Sequence, residues 1–209
     1  MMKDRWQTLW QKLSAPRIPV EALSELMRAY SSPDRSYHNF THIRDCLSLF
    51  DQTSFLAIHP AEVELAIWFH DAVYDARRSD NEQKSADWAE AVVSQTGLSR
   101  EIAKRVVSSI LATRHREEVT DADAQLLVDV DLSILGSDPT VFWQYEENIR
   151  KEYAWVAEDI FQRERVKILR GFLDRQHLYY HREYRERFEV RARTNLEQAI
   201  TRLDGSRRR

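Results

Sequence analysis

The chain has 209 residues, of which 31% are charged and 43% hydrophobic, and a formal charge of −3. That length accommodates one domain with a substantial core, and only 4 Gly and 5 Pro argue against a turn-rich antiparallel sheet and for long helices with short connections. The single cysteine excludes an intrachain disulfide, the charged start MMKDRWQTLWQKL does not read as a secretory leader, and no run of about 18 apolar residues offers a membrane span, so the expected setting is the cytoplasm.

Apolar spacing predicts helices near residues 4–13, 19–30, 39–53, 60–75, 80–96, 99–113, 122–135, 138–157, 158–176 and 177–203. Breaks fall at Ala15-Pro16, the SSPD of 31–34, His59-Pro60, Thr96-Gly97 and the GSDP of 136–139, where Gly ends a helix and Asp caps the next. The expectation is an all-α bundle of about eight to ten helices. Residues 163–209 carry twice as many basic as acidic side chains, but the signs alternate along HREYRERFEVRART. Alternation marks a solvated, salt-bridged face, so nucleic acid is not the expected partner.

Four residues stand out. In the segment beginning at Pro60, Val63, Ile67, His70 and Tyr74 share one helix face, which turns His70 inward, while Asp71 lies about 100° further round. Leu127, Asp131 and Ile134 are spaced in the same way, placing the Asp131 carboxylate on a buried stripe with Asp129 projecting elsewhere. His42 borders the apolar stripe of Ile43, Cys46, Leu47 and Phe50, in which Cys46 reads as a small buried hydrophobe. Imidazoles and carboxylates are ligand types for a borderline divalent metal, and coordination removes the cost of an unpaired polar group in an apolar interior. Each residue alone has a plainer reading: a lone histidine is more often a hydrogen-bonded core residue, and Asp131 suits a helix cap or an ion pair. The combination of all four on helices is what favours a metal.

Taken in order, His42, then His70-Asp71, then Asp131 resembles the H…HD…D signature of the HD-domain superfamily of metal-dependent phosphohydrolases. The stretches YHNFTHI, FHDAVYD, SDNEQKSA, VDVDLSILG and RARTNLEQAI are similar to a bacterial branch of predicted HD phosphohydrolases over about residues 30–203. The resemblance implies an HD-type helical domain covering 1–209, with its core over about 30–135 and helices 138–203 packing on it. It further implies one divalent cation held by His42, His70, Asp71 and Asp131, and attack by metal-bound water on a phosphate ester of a nucleotide or other small phosphorylated metabolite. Two imidazoles suit Mn, Fe, Co, Ni or Zn better than Mg.

Around this centre, Glu82 and its rival Asp75 are candidate proton carriers, although Glu82 equally fits an acidic first helical turn. Arg35 and Lys84 could meet a substrate phosphate, with a surface salt bridge the commoner fate of either. His38, four residues before His42, shares its face or caps the segment. His115 is a candidate substrate contact, or a helix-terminal histidine facing the dipole. Tyr145, Tyr153, Arg165 and the Tyr179-Tyr180 pair could form a stacking wall, but at helical spacing they read more readily as core. The alternative function is a non-catalytic, metal-stabilised helical binding or regulatory protein.

Overall fold

The computed structural model describes residues 2–206, and among them the fold is all-α, with no strand. The chain divides into two compact units, Met1–Val130 and Asp131–Arg209. No helix among the described residues is long and apolar enough to cross a membrane.

The first unit holds α1 (Met2–Lys12), α2 (Val20–Tyr30), α3 (Phe40–Thr53), α4 (Pro60–Phe69), α5 (Asn81–Gln95), α6 (Arg100–Ala112) and all but the end of α7 (Ala122–Leu132). Local chemistry sets several ends. Asn39 caps α3 by accepting the Thr41 N–H at 2.8 Å, and Ser99 caps α6. Pro60 opens α4 at a position where the missing N–H costs nothing. Gly97, just beyond α5, has φ +82, the left-handed conformation that lets the chain turn away.

The core is built round α4, which packs against α1, α3, α5 and α6. Leu65, Ala66, Ile67, Trp68 and Phe69 are all completely buried, so this helix is apolar on every side rather than along one stripe. Its two buried carboxylates are paired. Glu62 takes two 2.7 Å bonds from Arg105, and Glu64 takes one of 2.7 Å from Arg5, which also grips Asp51. Trp6 of α1 meets Trp10 and Trp68 edge-on, each at a ring separation of 5.4 Å.

The second unit comprises a 3-10 turn (Ser133–Gly136), α8 (Pro139–Glu152), α9 (Glu158–Leu173), the short α10 (Arg182–Tyr184), a π-helical turn (Arg185–Glu189) and α11 (Val190–Ser206). α11 packs on α9 and on the 3-10 turn, where buried Asn195 donates to Leu135 O (2.8 Å) and Ser137 O (3.0 Å). The single helix expected over 177–203 is interrupted, because charged side chains bind backbone here. Glu189 accepts the Leu178 N–H, Arg185 donates to Tyr179 and Tyr180 carbonyls, and Arg193 donates to those of Leu173, Arg175 and Gln176. Arg165 is enclosed between Glu146 and the Tyr145 hydroxyl, and the Tyr179 hydroxyl donates to Leu132 O. These aromatic residues therefore have polar tips committed to internal partners.

Candidate metal centre

His70 ends α4. Its N–H still bonds Ala66 O at 2.9 Å, after which the chain turns and the Ala72 N–H returns to Phe69 O. The helix expected to continue to residue 75 stops because side chains take over its terminal carbonyls. Ile67 O contacts His70 Nδ1 at 3.0 Å, Trp68 O accepts from the buried Tyr30 hydroxyl at 3.0 Å, and Ser85 bonds both the N–H and the carbonyl of Val73. The turn holds Asp71 against His70 and His42, which enters from the first turn of α3.

His70 Nε2 lies 3.1 Å from His42 Nε2 and 3.1 Å from Asp71 Oδ2, while His42 Nε2 and Asp71 Oδ2 are 3.5 Å apart. A proton on His70 Nδ1 satisfies Ile67 O and leaves Nε2 as a lone pair. With Asp71 ionised, a proton on His42 Nε2 can serve only one of these two acceptors, whereas a cation serves all three atoms. The spacing also fits one: donors about 2.1 Å from an ion stand about 3.0 Å apart at right angles and about 3.4 Å apart at the tetrahedral angle.

Asp131 stands in the last turn of α7, carried on the same unbroken helix as the first unit's Leu126, Leu127 and Val130. His42 and His70 lie in the first unit, and Asp131 is the first residue of the second. Asp129, read as projecting away from the buried stripe, is in fact completely buried, and Asp131 is only partly so. Leu126, Leu127, Val128 and Val130 are at most 1% exposed, so α7 is enclosed all round and its periodicity cannot tell one carboxylate's burial from the other's.

The imidazole pair is nearly sealed, with His42 at 6% and His70 at 1% exposure, and the Asp71 side chain at 17% marks the accessible edge. Burial pushes the Asp71 carboxyl up, but His70, His38 and His42 act in the opposite direction and hold it well below the usual carboxylate range. The site therefore retains an ionised oxygen for a cation.

His38 stacks on Tyr74 at a ring separation of 4.0 Å and lies 6.2 Å from the His42 ring, close enough to act on Asp71. Arg35 does not project into solvent. It is 9% exposed and donates to the carbonyls of Asp71 (2.7 Å), Ala72 (2.9 Å) and His38 (3.4 Å). Asp75 is exposed and accepts the Arg77 N–H, forming a local turn. Glu82, partly buried in the first turn of α5, precedes Ser85 by three residues on the same face, and its carboxylate takes no hydrogen bond or ion pair among the described residues. Lys84 is exposed and lies 3.9 Å from Asp80. His115 has φ +55 and sits between Arg114 and Arg116, which border a cavity of about 400 Å³.

Three participants escape sequence reasoning. Tyr30 and Ser85 act through backbone atoms, for which the sequence carries no marker. Cys46 does leave a signal, since it lies four residues after His42, and its sulfur is 3.7 Å from both nitrogens of that ring.

Comparison of the chain with family models, with curated proteins and with solved structures finds no match.

Proposed function

We propose that this chain is an HD-type, metal-dependent phosphohydrolase acting on a phosphate ester of a nucleotide or other small phosphorylated metabolite. The observation that carries the reading is the meeting of His42 Nε2, His70 Nε2 and Asp71 Oδ2 at 3.1–3.5 Å in a nearly sealed interior; the sequence signature adds Asp131 as the fourth ligand. Two imidazoles and two carboxylates suit Mn, Fe, Co, Ni or Zn better than Mg. Such a cation, when bound, lowers the pKa of water and polarises a phosphoryl oxygen.

The remaining work belongs to protein groups. His70 is oriented by Ile67 O, so that Nε2 faces the centre. Asp71 supplies charge at the accessible edge. Glu82, with a carboxylate not engaged elsewhere among the described residues, is the less committed of the two acidic candidates for holding or passing a proton at the attacking or leaving oxygen.

The test is elemental analysis of the purified protein beside a His70→Ala/Asp71→Ala variant, followed by a phosphatase panel on the metal-loaded wild type. Stoichiometric metal in the wild type alone, with turnover, is the expected result; no turnover over a broad panel of phosphate esters would count against catalysis. The near-complete burial of both imidazoles favours one second reading, a structural metal in a binding or regulatory protein, because structural sites are closed. Water proton relaxation on the Mn²⁺-loaded protein separates the two: exchanging inner-sphere water supports catalysis, and its absence supports the structural role.

A further inference from the structure

We propose that Arg35 is a positioning residue for the metal centre, fixing the turn that carries His70 and Asp71 against the segment that delivers His42. The inference rests on the metal reading above and concerns a side chain that sequence reasoning assigns to substrate phosphate.

A helix end leaves carbonyls without intrahelical partners. The usual solution is a residue in the left-handed conformation, commonly glycine. After α4 there is neither: among the described residues the positive φ values occur only at Ser14, Gly97 and His115. The last carbonyls of α4 go to His70, the Tyr30 hydroxyl and the Ala72 N–H, and Arg35 takes the carbonyls of the turn that follows. Its Nη1 donates to Asp71 O at 2.7 Å and its Nη2 to Ala72 O at 2.9 Å, so one planar fork spans two successive carbonyls of the ligand-bearing turn.

The same Nη1 reaches His38 O at 3.4 Å. Asn39, the next residue, caps α3 and donates to the carbonyls of Arg35 and Ser36. Arg35 is thus a strut between the lead-in to His42 and the turn of His70-Asp71. Tyr30 and Tyr74 hold its guanidinium, with ring centroids 5.3 and 5.9 Å away.

Three roles for Arg35 predict different results. A buried positive charge opposes a cation, so an effect through charge alone predicts tighter metal binding once the charge is removed. Contact with substrate predicts a raised KM and unchanged metal affinity. Positioning predicts weaker metal binding and altered ligand geometry, even when the charge is retained, because lysine cannot fork to two carbonyls.

The experiment is cobalt titration of the full chain by chelator competition, recording the Co²⁺ visible spectrum, for wild type, Arg35→Lys and Arg35→Gln. Far-UV circular dichroism of each variant verifies folding, and the glutamine variant serves if lysine does not fold. Roughly 10–100-fold weaker Co²⁺ binding with a changed spectrum is expected, as for other groups that orient metal ligands. Unchanged affinity and spectrum, or tighter binding in Arg35→Gln, would overturn the role. Failure of the wild type to bind cobalt would sink the metal reading and this inference with it, whereas wild-type binding with unaltered variants would sink the inference alone.

Discussion

Asp71 is held ionised in the metal-free protein by His70, His38 and His42 against the effect of its burial. A carboxyl whose folded pKa is depressed adds stability above its unfolded pKa, about 3.9, and that contribution is lost as pH falls through the folded pKa. The contribution is therefore present above about pH 4 and fades as the solution is acidified below it. Metal-free Asp71→Asn should be less stable than metal-free wild type above that pH, by about 1.5–3 kcal/mol, the range for hydrogen bonds to ionised groups. Urea unfolding across pH measures it, and coincident wild-type and variant curves would remove Asp71 from that role. Glu82→Gln should keep the bound metal while lowering kcat by about 10²–10⁴-fold, the usual contribution of a positioned acid or base. Loss of metal in that variant would instead place Glu82 among the ligands.

Connections between elements follow from a small number of buried polar atoms. Ser85, completely buried in α5, bonds Val73 N–H at 3.0 Å and Val73 O at 3.3 Å. Ser85→Ala leaves both backbone groups without that partner and should cost about 1–3 kcal/mol, with faster hydrogen exchange at the Val73 amide reporting a loosened turn. In the second unit, Gly136 is required by close approach rather than by helix termination. A Cβ there would lie 2.6 Å from Phe188 Cβ and 2.7 Å from its carbonyl oxygen. Gly136→Ala should destabilise by about 1–3 kcal/mol through overpacking, measured as a lower urea midpoint with an unchanged slope. A neutral result would mean that the turn at Phe188 yields easily.

Across the molecule, a metal bound by folded but not unfolded chain shifts stability by mass action. At a free metal concentration 100 times Kd the gain is about 2.7 kcal/mol. The wild type should therefore melt higher as Co²⁺ or Mn²⁺ is added, and His70→Ala should not respond. Acidification should weaken the response, because imidazoles and carboxylates bind metal only when deprotonated. Equal metal shifts in wild type and variant would locate the binding elsewhere.

The helical class was legible because apolar residues recur at helical spacing and Gly and Pro are few; the histidine and aspartate candidates were legible because polar side chains interrupt those apolar stripes. Several elements were not. Periodicity extends α4 to residue 75, since it senses one helix face and not the Tyr30 and Ser85 side chains that bind the backbone of the turn beyond it. It assigns burial to Asp131 over Asp129, since it cannot tell a striped helix from one enclosed on every side. By itself, then, the sequence determined the all-α class, the approximate positions of most helices and a short set of metal-binding candidates, all properties of residue type and local spacing. Only the tertiary structure decided that His42, His70 and Asp71 meet within 3.5 Å and that Arg35 faces backbone carbonyls rather than solvent. Those contacts depend on segments far apart in the chain and on carbonyl acceptors that every residue possesses, so no residue pattern records them.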